Sequence, residues 1–321
     1  MKEGSKDLVV WQIAGGPSSR SYVDVFLKYG VALIGPGDSG RWTPERGDEE
    51  FEGRFVRQFA NEVKIGDVFL LRKSISTICA TGIVASEYMY CNQFDDVNGW
   101  DLQHGRRVCW YKLPQEYKVS NRVFGSSPSR FSKVHSEEMI DFTRRFVNSP
   151  PFDWQTAQLP ALPEEEPLLN EVPDYLQEIV SYANDLYPIM WDREKYPDHP
   201  SEDELIAHLV VPFLRALGWQ PENIAVQWQY IDVAVFDTLP RTPKNCRFII
   251  EAKRLGAGVE GALEQVRNYV QKLTSSTDVV VTDGIRYRMY SSKNNFDPLA
   301  YANLVRIKKP ALELFERMKR P

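Results

Sequence analysis

Gln229-Tyr-Ile-Asp-Val-Ala-Val-Phe236 and Arg247-Phe-Ile-Ile-Glu-Ala-Lys253 are two short apolar runs, each carrying charge where a buried strand has no use for it. Runs of this length, rich in β-branched and aromatic residues, read as strands. Side chains alternate faces along a strand, so Glu251 and Lys253 share one face. A carboxylate there costs solvation unless a partner uses it. A salt bridge between Glu251 and Lys253 is the plain explanation. The sharper one is a metal site, in which two or three carboxylates hold a hard cation through oxygen and a nearby ammonium orients a water. Working outward, Asp203-Glu-Leu-Ile-Ala-His-Leu-Val-Val-Pro-Phe-Leu-Arg-Ala-Leu-Gly-Trp219 reads as a helix. Leu205, Leu209 and Phe213 recur at i, i+4 and i+8, with Ile206, Val210, Leu214 and Leu217 widening the stripe. Pro212 is expected to kink or loosen it. A second helix carries Gln265 and Tyr269, one turn apart on one face. A further strand, Asp278-Val-Val-Val-Thr-Asp-Gly284, runs into Arg286-Tyr-Arg-Met-Tyr290.

This order of elements resembles the PD-(D/E)xK nuclease superfamily, and within it the nuclease domain of type I restriction motor subunits and its stand-alone relatives. The resemblance rests on Asp232, on Glu251-Ala-Lys253 beginning 19 residues later, on the Leu-Gly-Trp helix stop, on the Gln265-x-x-x-Tyr269 pair and on the strand that follows. It covers roughly residues 198 to 292. No Pro precedes Asp232, where the family name would put one. The resemblance implies a phosphodiester-cleaving site in which Asp232, Glu251 and the backbone carbonyl of Ala252 ligate Mg2+, with Mn2+ as a substitute. Lys253 would lie beside the metal and ease formation of hydroxide, and Glu204 would hold a metal-bound water or a second ion. Gln265 and Tyr269 would contact the active site or the nucleic-acid backbone. Two plainer readings stand beside these. Ser201-Glu-Asp-Glu204 also suits an N-cap followed by acids that favour the helix dipole, and Gln265 and Tyr269 also suit a solvated helix face.

Ser149-Pro-Pro-Phe-Asp-Trp154 and Leu159-Pro-Ala-Leu-Pro-Glu-Glu-Glu-Pro167 are proline-rich and acidic, hence extended. They divide the chain into residues 1–148, a linker at 149–172, and the nuclease-like domain at 173–321. The expected fold class is α+β in two domains, an N-terminal β-barrel with flanking helices and a C-terminal mixed sheet flanked by helices. Tyr175 to Ile189 reads as a helix that bridges the domains or begins the second one.

In the N-terminal part, Leu8–Ile13, Val31–Ile34, Val68–Leu71, Cys79–Val84 and Arg107–Tyr111 are strand candidates. Phe51 to Val63 reads as a helix. Lys64-Ile-Gly-Asp67 then turns into a strand, and Gly82-Ile-Val84 ends the next. With Trp11, this order resembles the PUA-like superfamily of small barrels, particularly EVE-type readers of modified bases. That resemblance implies a pocket for a flipped base, stacked on aromatic rings and read by a few hydrogen bonds. Trp11, Tyr22, Trp42 and Trp100 are the candidate rings, with Ser18 and Asp38, in two glycine-rich loops, as polar contacts. Any one of these tryptophans equally suits a core position.

At 321 residues, 43% of them apolar and 26% charged, the chain can form two ordinary globular cores. Cys79, Cys91, Cys109 and Cys246 lack metal-ligand spacing and read as buried thiols of a reducing cytoplasm. No apolar run approaches the roughly 18 residues of a membrane span. The net charge of -5 does not advertise nucleic-acid binding. Basic pairs occur at Arg72/Lys73, Arg106/Arg107, Arg286/Arg288 and from Lys308 to Arg320, and they define no footprint alone. A base reader joined to a nuclease implies a modification-dependent restriction endonuclease acting in defence against foreign DNA. Its partner would be double-stranded, base-modified DNA, cut by a homodimer or by copies pairing on the DNA. Two alternatives stay open: a nuclease effector triggered by a nucleotide signal or RNA, and a catalytically inactive nucleic-acid-binding protein.

Overall fold

The computed structural model describes residues 8–16, 21–37, 40–47, 55–97, 100–120, 123–124, 129–150, 153–154, 156–192, 194–198, 200–255, 262–270 and 278–321. Contacts divide the chain into two compact units, Met1–Glu164 and Glu165–Pro321. The division falls inside the stretch expected to be a linker, and each part of that stretch is held by its own unit. Arg107 donates to the Pro160 carbonyl and Leu162 packs on the first unit's core. The Leu169 amide donates to the Ile307 carbonyl at 2.8 Å in the second.

The first unit runs β1 (Val10–Ala14), α1 (Val23–Tyr29), β2 (Val31–Ile34), α2 (Phe55–Arg57), β3 (Val68–Ser74), β4 (Thr77–Val84), β5 (Met89–Tyr90), β6 (His104–Lys118), β7 (Phe131–Lys133) and α3 (Glu137–Asn148). The expected helix to Val63 is met by α2 and a π-turn, Gln58–Glu62; its first residues, 51–54, lie outside the described residues. The strand order is β2-β6-β4-β3-β1-β7, with β5 on β6. Its length of 15 residues lets β6 serve two sets of neighbours: the first residues pair β2 and β5, the rest pair β4. The end strands β2 and β7 are not paired with each other among the described residues, so the sheet is a curled half-barrel. The Lys64-Ile-Gly-Asp67 turn has a structural role. Gly66 takes a positive φ of 92°, and Asp67 Oδ2 accepts both the Lys64 amide at 3.0 Å and the Trp11 indole N–H at 2.8 Å.

The second unit runs α4 (Gln177–Trp191), α5 (Glu202–Leu205), α6 (Val211–Ala216), β8 (Ile224–Trp228), β9 (Ile231–Phe236), β10 (Cys246–Ala252), α7 (Leu263–Val270), β11 (Asp278–Thr282), β12 (Arg286–Ser291), β13 (Asp297–Asn303) and α8 (Ala311–Met318). A π-turn at Ile206–Val210 joins α5 to α6, so the loosening expected at Pro212 takes the form of one wide turn just before it. Gly218 ends this helix with φ at +92°, and the Trp219 indole then donates to the Met318 carbonyl at 2.7 Å in the core. The sheet order is β13-β12-β11-β10-β9-β8. Only β10 and β11 are parallel, and α7 lies in the connection between them. One sheet face, with Val233, Val235, Ile250, Val280 and Met289, packs on α4, α6 and α8. The other, with Ala234, Ile249, Val279 and Val281, packs on Leu263 and Val266 of α7. The strand expected from Gln229 begins at Ile231 instead. Gln229 and Tyr230 both take positive φ, 50° and 71°, and close a two-residue hairpin between Trp228 and Ile231.

Candidate active site

Pairing of Ile250 with Val233 brings the next residues, Glu251 and Asp232, opposite each other across β10 and β9. Directly opposed residues have Cβ atoms about 5 Å apart. Both lie on the α7 face, since Ile249 and Ala234, two residues away on each strand, belong to the cluster around Val266. Lys253 Nζ donates to Glu251 Oε1 at 2.7 Å, with side chains 18% and 4% exposed. The Lys253 amide donates to the Thr282 carbonyl at 2.8 Å, fixing the strand end. Asp232 Oδ2 accepts the Ala252 amide at 2.8 Å, which sets the Ala252 peptide against the carboxylate. Gln227 on β8 approaches Asp232 Oδ1 at 3.4 Å.

Burial pushes the Glu251 carboxyl up to about 7, and the charges of Asp232 and Glu202 add to the rise while the Lys253 hydrogen bond opposes it. Burial also raises Asp232, against the Ala252 amide and Lys253, and Asp203 raises it further. For Lys253, burial works downward, but the hydrogen bond and charge of Glu251 overcome it and the net direction is up. Three acids, Glu251, Glu202 and Asp232, thus act on the Lys253 ammonium, and Asp203 acts on Asp232, an excess of negative charge that a divalent cation would relieve. Among the described residues no group of three or more His, Cys, Asp or Glu is close enough to hold a metal by itself. A cation here would draw two carboxylates from the chain and complete its shell with water, which suits Mg2+.

Glu204 takes part in the helix cap that its sequence context also suits. Its Oε2 accepts the Ser201 amide at 2.7 Å and contacts Ser201 Oγ at 3.0 Å, while Ser201 Oγ accepts the Glu204 amide at 3.2 Å. This reciprocal capping box occupies the carboxylate at the helix start. The acids whose charge reaches the site are Glu202 and Asp203 instead. Gln265 lies exposed on α7, on the helix that covers this sheet face, with Tyr269 one turn on; the Tyr269 side chain lies outside the described residues.

In the first unit, Tyr22 and Trp100 line a cavity of about 560 Å³, together with Arg72, Lys73 and Arg130. Trp11 does not, and this corrects its placement as a stacking ring. It is 1% exposed, stacks on Phe131 at 5.1 Å between centroids and spends its indole N–H on Asp67. Trp42 packs against the same core, its amide donating to Tyr88 Oη at 3.0 Å. Ser18 and Asp38 lie outside the described residues. Several basic pairs turn inward. Arg106 is buried and donates to the Phe59, Ala60 and Ser86 carbonyls. Arg286 pairs with Asp283 inside the turn between β11 and β12, and Arg288 lies 4.3 Å over the Tyr301 ring. The tail read as basic is α8, with Leu314, Phe315 and Met318 buried. All four cysteines are free and buried, as the sequence leads one to expect.

A family model described as a domain of unknown function (DUF8426) matches residues 19–129, about a third of the chain and wholly within the first unit. No curated protein matches the chain. Among solved structures, the chain is similar to a fragment assigned as an HsdR subunit of a type I restriction enzyme from Vibrio vulnificus YJ016. That match has 17% identity and a TM-score of 0.26, and covers 37% of this chain and 25% of that one. No described helix is long and apolar enough to cross a membrane.

Proposed function

We propose that the second unit is a divalent-metal-dependent endonuclease of the PD-(D/E)xK type, and that the first unit, as a PUA-like reader, licenses it by holding a modified base of DNA in its cavity. The single observation that carries the reading is Asp232 facing Glu251 on adjacent strands, with Lys253 bonded to Glu251 at 2.7 Å. Asp232 and Glu251 would hold Mg2+ or Mn2+, which supplies charge to the phosphate and acidity to its bound water. Lys253, raised rather than lowered, stays an ammonium near neutral pH, so it orients water and steadies negative charge rather than removing a proton. Glu251, at about 7, changes protonation near neutrality and must release its proton before it can ligate a cation. Attack of water on phosphorus would expel one ester oxygen and leave two strand ends. Cutting both strands takes two such sites, hence two copies of the chain on the DNA.

The test is cleavage of matched DNAs in Mg2+ or Mn2+, unmodified or carrying methylcytosine, hydroxymethylcytosine, glucosylated cytosine or methyladenine, beside Asp232→Ala. Cutting of one modified DNA, lost in the variant, supports both halves. Equal cutting of every DNA retains the nuclease and removes the modified-base reader. No cutting by a folded wild-type protein overturns the reading.

A further inference from the structure

The cavity of the first unit has walls of unusual charge. Of the described residues lining it, Arg72, Lys73 and Arg130 are cationic and none is Asp or Glu. Lys73 is exposed and already paired with Glu116 at 2.7 Å. Arg72 differs. It is 4% exposed, and among the described residues its hydrogen bonds run to neutral acceptors: Gln12 Oε1, the Ser129 carbonyl at 2.7 Å and, weakly, the Ser74 carbonyl at 3.4 Å. The Phe124 ring lies 5.4 Å from the guanidinium. A buried guanidinium without a counter-charge is costly, and such groups ordinarily pair with an acid or await a ligand.

Tyr22 does not supply the missing charge. Burial pushes its phenol up to about 12, although the charges of Arg130 and Arg72 pull it downward. It therefore remains a neutral phenol near physiological pH, facing the fields of both arginines. Burial lowers Arg72 only to about 10, so it stays charged. Arg130 is exposed at the rim and donates to the Gly35 carbonyl at 3.1 Å. Trp100 adds a ring to the wall, and its indole Nε1–H is buried with no hydrogen-bond partner among the described residues. A volume of about 560 Å³ lies within the range of small-ligand sites.

We propose that this cavity recognises a phosphate-bearing nucleotide, its phosphate set against Arg72 and Arg130 and its base against Trp100. The inference rests on the reading of the cavity as a ligand site and makes the anion, rather than a neutral base edge, the main determinant of affinity. A guanidinium fork matches phosphate oxygens, and burial strengthens the contact by excluding water. The phosphate has two sources, a free nucleotide or the phosphate of a DNA strand, and the same chemistry serves both.

Calorimetric titration of the full chain without divalent metal, so that no strand is cut, tests this. The probes are the four common nucleoside 5′-monophosphates, their unphosphorylated nucleosides, and matched oligodeoxynucleotides with and without a 5′-phosphate. A phosphorylated probe should bind at least about tenfold more tightly than its matched nucleoside or unphosphorylated strand. Arg130→Gln should erase most of that preference without moving the melting temperature. Arg72→Gln should erase it too, and Arg130 decides alone if the buried position fails to fold. Preference for mononucleotides assigns the source as a free nucleotide, and preference for the phosphorylated strand assigns it as DNA; both support the inference. Equal binding of nucleosides and nucleotides overturns it while leaving a neutral base pocket intact. Binding of none of the probes overturns it outright, without touching the cleavage chemistry of the second unit. Undiminished preference in Arg130→Gln also overturns it.

Discussion

Glu251→Gln removes one charge from the candidate site while nearly preserving shape, and its consequence for stability has a definite sign. The carboxyl is lifted from 4.5 to about 7, by burial first and then by Asp232 and Glu202. Its folded-state pKa is the higher one, so the folded protein holds this proton more tightly than the unfolded chain does. The resulting stability is fully present below about pH 4.5 and is lost as pH rises through about 7. The lift corresponds to roughly 3 kcal/mol, at about 1.4 kcal/mol per tenfold change in proton affinity. The amide of Gln never ionises, so the metal-free variant should be more stable than wild type above pH 7 and equal to it near pH 4.5. Lys253 keeps an oxygen acceptor but loses its charge partner, which trims the gain to about 1–3 kcal/mol. Urea unfolding in chelator, at about pH 5 and about pH 8.5, measures the difference directly. Adding Mg2+ should then reverse the order, because only the wild type gains by binding the ion. Equal stability of the two proteins at the higher pH would refute the assignment of Glu251 as a strained, ion-awaiting carboxylate.

Other expectations separate neighbouring residues. Glu204→Ala breaks the capping box and should cost about 1 kcal/mol of stability while leaving the cleavage rate per folded molecule unchanged; a loss of rate would return Glu204 to the site. Glu202→Gln removes a charge that raises Glu251, so the acid limb of the pH–rate profile should move to lower pH, and an unmoved limb would make Glu202 a bystander. Gly284 holds φ at +83° and an added Cβ would stand 2.9 Å from Leu209 Cδ1, so Gly284→Ala should destabilise by about 1–3 kcal/mol, against which an unchanged thermal midpoint would count. Trp11→Phe deletes the hydrogen bond to Asp67 and part of a core ring, costing about 2–3 kcal/mol in unfolding while leaving ligand affinity of the Tyr22–Trp100 cavity intact.

The second unit was legible in the sequence where apolar runs were long and carried misplaced charge. β10 and β11 are buried on both faces, so Phe-Ile-Ile and Val-Val-Val stand out without need of alternation. β8 was missed because Ala225-Val-Gln-Trp228 is short and its hairpin is closed by Gln229-Tyr230, which lacks the Asn or Gly that normally signals such a turn. The stretch from Lys308 to Arg320 reads as a basic tail because Lys308, Lys309, Lys319 and Arg320 flank α8, although Leu314, Phe315 and Met318 within that helix are buried. In the first unit α1 is only seven residues long, too short for periodicity to declare itself. Trp11 shows a different limit. A tryptophan at a strand end beside a glycine-rich loop looks the same in sequence whether its ring is stacked on Phe131 or offered to a ligand, and only the partner identifies which. The Arg72 environment has no sequence signal, because Gln12 and Ser129 meet it from two segments remote from its own strand.

The start of α5 shows why one residue of register decides the composition of the candidate site. On a helix, positions 202 and 204 lie about 200° apart, so both acids cannot face the same cation. Ser201 fixes the phase: its hydroxyl takes the Glu204 amide, and the Glu204 carboxylate folds back onto the Ser201 amide. That bond satisfies an otherwise orphaned backbone donor, and it also holds the Glu204 carboxyl below the usual range. With Glu204 committed to the cap, Glu202 and Asp203 become the acids whose fields reach Glu251, Lys253 and Asp232. The cap thus takes Glu204, while the charges of its two neighbours are the ones felt at the strand ends. In the proposed metal site, four carboxylates would attract the cation while only Asp232 and Glu251 face each other across the strands. If the proposed ion binds, its affinity should fall as salt is added, because the fields of Glu202 and Asp203 act over distance and are screened; an affinity unmoved by salt would remove both acids from the account.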